Sequence, residues 1–494
     1  MTSAPLTGAR RIWVLLGALG AIFIDQSASA IASSSLSSVQ GAYGLGPDEG
    51  SWFLSIYNAA YYASILNSIW MIARFGRKRF LVASLLAYAL LSLLCILAPN
   101  AVALMIFRFF QGLAEGGLYT TGLIVIFNVN GESDLPKALW AFSSVSLAAG
   151  ALGPLVGGSL IQYAHWEDAF ALSALLSLLL AAILIVQLPH DPTRRRIKFD
   201  PIGLVLAVAM FLPLEYLVNE GNRRDWFNDG NVVLTAITLP VLVAAFVFWT
   251  RWYAPHPFLD LRVLKLGNVA VATVIGVAFA VSGYSTMVFI EYAQADAGFS
   301  PTIASWVVGM RAFALVIAIP LTGFAVLKRK LSARVALGVG GLIYIVSMAS
   351  MSQLLTIGSD LDAFIPLTLG IGVMQGISNQ PLPGLMFRGI SRERLPMVIV
   401  FYKIAPQLGT SIAAATAQRM LDVADANNLA EAANEVTLNQ PGVSVLAQSG
   451  AAHEIAAVVS EQAMVLSYAD VTQWIALLGL LAIPLVLLIR SART

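Results

Sequence analysis

The stretch Arg108-Phe109-Phe110-Gln111-Gly112-Leu113-Ala114-Glu115-Gly116-Gly117 puts an arginine and a glutamate inside a run otherwise apolar enough to cross a bilayer. Residues 108, 111 and 115 are separated by three, four and seven positions. On a helix they share one face, with the two charges roughly 10 Å apart along the axis. An ionisable side chain at mid-membrane costs at least ~2.5 kcal/mol on insertion scales, so that face is expected to look into a polar cavity or relay inside a helix bundle and not into lipid.

The rest of the chain agrees with a membrane setting. Of its 494 residues 58% are hydrophobic and 11% charged, against roughly 25% charged in soluble proteins. That charge could not solvate the surface of a soluble domain of this size, and long uncharged apolar runs recur from end to end. The net charge of +2 says little about partners, and nothing in the placement of the charges resembles a basic nucleic-acid face. The one cysteine, Cys95, excludes an internal disulfide and sits in the apolar run Leu91 to Leu97, where a small buried hydrophobe is expected. No H-E-x-x-H, G-x-S-x-G or Walker motif occurs, and His165, His190, His256 and His453 all fall in connections. The chain therefore offers no evident metal site, cofactor site or catalytic nucleophile, and no route to energy from ATP.

Hydropathy divides the chain into fourteen expected spans, near residues 12–32, 51–72, 80–98, 102–127, 138–163, 168–188, 201–219, 231–251, 269–293, 301–326, 335–356, 363–387, 397–420 and 469–490. The first is read as a transmembrane helix and not as a cleaved signal peptide, because the apolar run continues past Asp25 to about Ala32 without a cleavage site. Of the 29 lysines and arginines, all but Arg223, Arg224 and Arg419 outside and Arg108, Arg311 and Lys403 within spans fall in connections on one side. The positive-inside rule then places both termini in the cytoplasm.

The expected fold is an all-α integral membrane protein of two six-helix bundles plus an inserted helix pair. The expected parts are an N-terminal bundle at 1–190, a linker and inserted pair at 191–267, and a C-terminal bundle at 268–494 that carries an extracytoplasmic segment near 421–468 with a short surface helix around Ile455 to Val465.

Several motifs carry a family resemblance. Ala73-Arg74-Phe75-Gly76-Arg77-Lys78-Arg79 is similar to the signature loop of the major facilitator superfamily, with Ile69 and Ala73 standing where the family has a glycine and an aspartate. Arg108-x-x-Gln111-Gly112 resembles the fourth-helix motif of proton antiporters in that superfamily. Gly153-Pro154-Leu155-Val156-Gly157-Gly158, followed by Trp166 and Phe170, resembles the fifth-helix antiporter motif. Asp200-Pro201-Ile202-Gly203, Asp225-Trp226-Phe227, Pro257-Phe258-Leu259-Asp260-Leu261 and Tyr468-Ala469-Asp470 look like landmarks of the fourteen-helix drug:proton antiporters of the EmrB/QacA type.

The resemblance implies proton-coupled efflux of small organic compounds or drugs across the cytoplasmic (inner) membrane by alternating access. Its partners are then protons, a small organic substrate and the lipid bilayer, with a periplasmic adaptor protein and outer-membrane channel left open. An alternative is a dedicated exporter of an anionic metabolite such as an organic acid or siderophore.

Within this frame Asp25, in the first span, is expected to exchange protons, Arg108 to tune it, and Glu115 to act as a second acceptor or as a site for cationic substrate. The bland alternative is a static ion pair. Arg311 and Lys403 are expected to face Glu291 in the second bundle, with Gln111, Trp306, Gln375, Asn379 and Tyr402 offering aromatic and polar substrate contacts. Gly76, Arg77, Gly112, Gly153, Pro154, Gly157 and Gly158 are the expected conformational motif residues. Pro320, Pro381 and Pro383 are expected kinks, and Glu215 is expected to snorkel outward from a peripheral helix.

Overall fold

The computed structural model describes residues 8–131, 134–163, 165–191, 198–254, 261–283, 288–289, 292–293, 301–328, 331–356, 359–435 and 452–487. Among them the longer elements are all α-helices. In chain order these are α1 Gly8–Tyr43, α2 Pro47–Phe75, α3 Arg77–Ile96, α4 Ala101–Val129, α5 Leu135–Tyr163, α6 Trp166–Gln187, α7 Pro201–Glu220, α8 Gly230–Trp252, α9 Val269–Gly283, α10 Pro301–Leu327, α11 Ala333–Leu354, α12 Ile365–Asn379, α13 Leu382–Phe387, α14 Leu395–Glu435 and α15 Ala452–Leu487. Nine helical stretches among the described residues are long and apolar enough to cross a membrane. α2 is not among them. Its Ser55, Tyr57, Tyr61, Ser64, Asn67 and Ser68 are polar yet buried against other helices, which lowers its hydropathy without making it a surface helix.

Local signals set several boundaries. Asn100 caps α4 by accepting from Ala103 N at 2.9 Å. Asp200 caps α7 through Gly203 N at 2.8 Å, Pro201 opens that helix, and Trp249 Nε1 of α8 donates to Asp200 Oδ1 at 2.9 Å. One aspartate thus starts α7 and ties it to α8. Between α2 and α3, Gly76 takes φ +85°, a region open to glycine without strain. Beyond it Arg77 donates from its backbone N–H and guanidinium to Asp191, the Nε bond being 2.6 Å. The basic loop, which lacks the family aspartate at position 73, finds its acid in the segment after α6.

Helix packing divides the chain into two compact units. The first comprises Met1–Thr273, Ile319–Leu331 and Gln380–Ala405, and the second Val274–Ala318, Ser332–Asn379 and Pro406–Thr494. In the first, α2 packs on α4 and α7, α1 on α4, α5 and α6, and α3 on α4 and α6. α4 seats closely on α2. A Cβ at Gly116 would lie 2.7 Å from the Tyr61 carbonyl oxygen, and one at Gly112 would fall on that of Tyr57. These glycines, four apart, let two backbones meet. In the second unit α11 packs on α12 and α15.

Three expectations change. The twelfth expected span is two helices, α12 and α13, interrupted at Gln380 and Pro381. Proline costs a helix its backbone bond and clashes with the preceding turn. Pro320, by contrast, lies inside an unbroken α10. The expected short surface helix is the first part of α15, continuous with the last span, and α14 runs to Glu435 over 41 residues, about 60 Å. No glycine or proline interrupts α15 before Gly479, and alanine-rich sequence carries α14 past the apolar part. Residues 436–451 lie outside the described residues.

Glu215, finally, does not snorkel. It is buried, Asn58 Nδ2 of α2 donates to its Oε2 at 3.0 Å, and Asn219, one turn on, donates to Ser55 Oγ at 3.0 Å. α7 covers α2, and a carboxyl enclosed by a polar helix needs no route to water.

Candidate functional site

One cluster in the first unit buries two acids and two bases: Asp25 at 2% exposure, Glu115 at 1%, Arg108 at 1% and Lys403 at 8%. Lys403 Nζ, near the start of α14, reaches Asp25 Oδ2 on α1 at 2.6 Å and also donates to Gln26 Oε1. Tyr61 of α2 donates to the other carboxylate oxygen of Asp25 at 2.9 Å, and Gln26 Nε2 donates to Ser146 Oγ of α5 at 3.0 Å. The ammonium also lies 4.5 Å from the Tyr119 ring centroid and 5.5 Å from that of Tyr61. A buried ion pair whose remaining hydrogen-bonding capacity is met in this way can offset its desolvation.

Arg108 is not the partner of Asp25. Its guanidinium lies 3.8 Å from the Tyr57 ring centroid, 4.7 Å from Phe53 and 5.8 Å from Phe170, a stack on aromatic faces. Nη1 donates to Gln111 Oε1 at 2.6 Å, and Gln111 Nε2 passes the connection to Ser92 Oγ of α3 at 2.7 Å. Gln111 is thus wholly enclosed between α3 and α4. Glu115 accepts from the hydroxyl of Tyr57.

The remaining expected substrate contacts separate. Tyr402 belongs to the first unit, with its ring 6.2 Å from Phe142 and 5.4 Å from Phe387. Arg311, Trp306, Gln375 and Asn379 belong to the second. There Arg311 is half-buried on α10, whose backbone meets α12 at Gly372, while Trp306 is exposed and Gln375 and Asn379 are half-buried. Lys403 therefore groups with Asp25, and Glu291, its expected acid, lies outside the described residues. Gly153, Pro154, Gly157 and Gly158 all lie within α5.

The tyrosines are the residues that reading the sequence misses. Tyr57, Tyr61 and Tyr119 touch every buried charge in the cluster. The spacing of four between Tyr57 and Tyr61 on α2 is the available signal, but aromatic residues at helical spacing ordinarily mark packing.

A many-span helical bundle that encloses matched acids and bases between its helices has the construction of a membrane transporter of small molecules and not of an enzyme. The family model described as Major Facilitator Superfamily matches residues 18–414, and the chain belongs to that superfamily.

Relatives include the fatty acid resistance protein FarB of Neisseria gonorrhoeae, 28% identical over 56% of this chain and 54% of that protein. A multidrug resistance protein B homolog of Mycobacterium tuberculosis is 27% identical over 74% and 67%. The multidrug export protein EmrB of Escherichia coli is 24% identical over 62% of each. The chain thus spans about half to two thirds of the length of these relatives. In fold it resembles the proton:xylose symporter XylE, with TM-score 0.58, 13% identity and 95% of each chain covered. The human organic anion transporter MFSD10 gives TM-score 0.61 at 11% identity, over 96% of this chain and 100% of that one. Fold and family together make this a multi-pass helical membrane protein of that superfamily.

Proposed function

We propose that the chain exports small organic compounds in exchange for protons by alternating access, in the manner of the fourteen-helix drug:proton antiporters of the EmrB/QacA type. In this reading two six-helix bundles, 1–190 and 268–494, flank an inserted pair at 191–267, and both termini are cytoplasmic. The segment near 421–468 is extracytoplasmic, and a periplasmic adaptor with an outer-membrane channel completes the route.

The observation that carries the reading is the buried Asp25–Lys403 pair at 2.6 Å, held by Tyr61 and Gln26. A carboxyl that can exist as a salt-bridged anion or as a protonated acid, in a site that exchanges access between two sides, is the minimum device for moving protons. Arg108 and Glu115 complete the charge cluster. Its test is ethidium accumulation in everted membrane vesicles driven by an imposed pH gradient. Asp25→Asn is expected to abolish the gradient-dependent part, and undiminished coupling in that variant would overturn the reading.

A second reading, export of a carboxylate-bearing compound, is favoured by the in-span cations Lys403 and Arg311 and by the name of the fatty-acid-resistance relative. A substrate carboxylate would compete with Asp25 for Lys403. Transport of a fluorescent fatty acid, with no transport of ethidium, is the expected result under that reading. The opposite pattern rejects it.

A further inference from the structure

Two successive turns of α2 repeat one arrangement. Tyr61 gives its hydroxyl to Asp25 Oδ1 at 2.9 Å and its ring to the Lys403 ammonium at 5.5 Å. Tyr57, four residues earlier and stacked on Tyr61 with ring centroids 6.2 Å apart, gives its hydroxyl to Glu115 Oε2 and its ring to the Arg108 guanidinium at 3.8 Å. Each tyrosine stands between one acid and one base.

The two arrangements differ in a single respect. Lys403 touches Asp25 directly. Arg108 spends Nη1 on the neutral Gln111, and among the described residues its buried Nε and Nη2 have no hydrogen-bond partner. A carboxylate and a guanidinium enclosed in one low-dielectric core attract strongly and favour a two-pronged hydrogen bond. Yet Arg108 and Glu115, on one face of α4, do not pair, and the Tyr57 side chain contacts both. Their separation, roughly 10 Å along α4, accounts for this, and Glu115, 1% exposed with a phenol and, among the described residues, no cation against it, is favoured as the neutral acid. A protonated Glu115 is satisfied by a phenol and exerts little pull on the spare donors of Arg108.

The geometry points to Glu115, and not Asp25, as the carboxyl that holds a proton in this conformation, with Tyr57 as the positioning residue that donates to it. The inference rests on the proton-exchange reading above and deepens it by dividing the labour. Asp25 is the ionised, paired acid and Glu115 the loaded one. On release the O–H bond of Glu115 breaks, the proton passes to water, and the new carboxylate keeps the hydrogen bond that Tyr57 donates, with Arg108 a cation of the same enclosed cluster. The titratable and charged groups that face Glu115 are Asp25 on α1, Tyr57 and Tyr61 on α2, Tyr88 on α3, Arg108 on its own helix and Lys403 on α14. Lys403 is already matched by Asp25, which leaves Arg108 as the cation free to respond.

Infrared difference spectroscopy of the purified full chain at neutral pH tests the inference without any substrate. A protonated-carboxyl carbonyl band is expected that shifts on labelling with glutamate carrying 13C at its side-chain carboxyl carbon, is lost in Glu115→Gln, and survives in Asp25→Asn and in Glu215→Gln. In Tyr57→Phe the band should move to higher frequency as its hydrogen bond is lost, a change that a purely packing role for Tyr57 would not produce. A band that survives Glu115→Gln, disappears in Asp25→Asn, or ignores the glutamate label overturns the assignment. An unmoved band in Tyr57→Phe overturns the positioning role. The isotope result stands even if a variant fails to fold. A band assigned to Glu115 together with undiminished gradient coupling in Asp25→Asn would sink the exchange reading alone and leave the proton assignment in place.

Discussion

Lys403→Met keeps the aliphatic stem of the side chain and deletes the ammonium that meets Asp25 Oδ2 at 2.6 Å. Asp25 is 2% exposed and Lys403 8%, so solvent screening discounts the pair little. Removing one partner of such a pair leaves an uncompensated buried charge and costs about 3–5 kcal/mol. Asp25→Asn orphans the ammonium and is expected to cost about as much. The double variant removes both charges together and is expected to lie within ~2 kcal/mol of the wild type, since neutral replacements of buried pairs are often tolerated. The coupling energy of the cycle is then at least ~4 kcal/mol.

The protein carries its own reporter for this cycle. Cys95, the one cysteine, is free and buried in the same unit, packed among Phe53, Leu104, Trp166 and Phe170, so reaction with a thiol-activated dye follows opening of that core. Denaturant titration of the four proteins in detergent gives the energies. The Lys403→Met loss should shrink as pH falls, because protonation removes the orphaned carboxylate charge, whereas the Asp25→Asn loss should not. Single-variant costs that simply add in the double variant, within ~0.5 kcal/mol, would refute the ion pair as the link between α1 and α14.

Other outcomes follow from packing and from the connections. Gly112→Val puts a branched side chain on the Tyr57 carbonyl and should push α4 off α2, at a cost of about 1–3 kcal/mol read by the same dye, and Gly116→Val should behave alike. Asn58→Ala removes the donor to the buried Glu215 and should cost about 1–3 kcal/mol, while Glu215→Gln, which can still accept from Asn58, should cost less. Equal losses would show that the polar contact does not hold α7 to α2. In the connection between α4 and α5, the Arg11 guanidinium at 2.8 Å holds the Asp134 carboxyl below its ordinary 3.8. A carboxyl lowered in the folded state adds stability above its unfolded value, and that stability is lost as pH falls through the lower folded value. The difference in thermal midpoint between wild type and Arg11→Ala should therefore be constant at neutral pH and narrow below about pH 4, the unfolded carboxylate range, to what the Arg11 bond to Asn130 Oδ1 contributes.

Much of the fold is readable in one dimension. Charge scarcity and long apolar runs place the chain in a bilayer, where every backbone polar group must be satisfied within its own segment, so helices are imposed by the solvent. Helix starts at Asn100 and Asp200 follow from local capping chemistry, and the shared face of Arg108, Gln111 and Glu115 follows from helical periodicity. These are short-range properties, complete within a few residues of sequence.

What the sequence by itself could not determine is which faces meet. Asp25 and Lys403 are 378 positions apart, and nothing local to either names the other. By charge alone Arg108 is an equal candidate for Asp25. The glycines at 112 and 116 decide otherwise, because they let α4 sit down on α2 so closely that Tyr57 and Tyr61 are carried in among the charges. The same contact turns Arg108 onto aromatic rings, joins Glu115 to a phenol, and leaves Asp25 to a lysine from far along the chain. The Arg108 to Gly117 stretch thus determined that a polar face must be hidden. Only tertiary packing, through backbone approach and the enclosure of long side chains, decided what each charge on that face was hidden against.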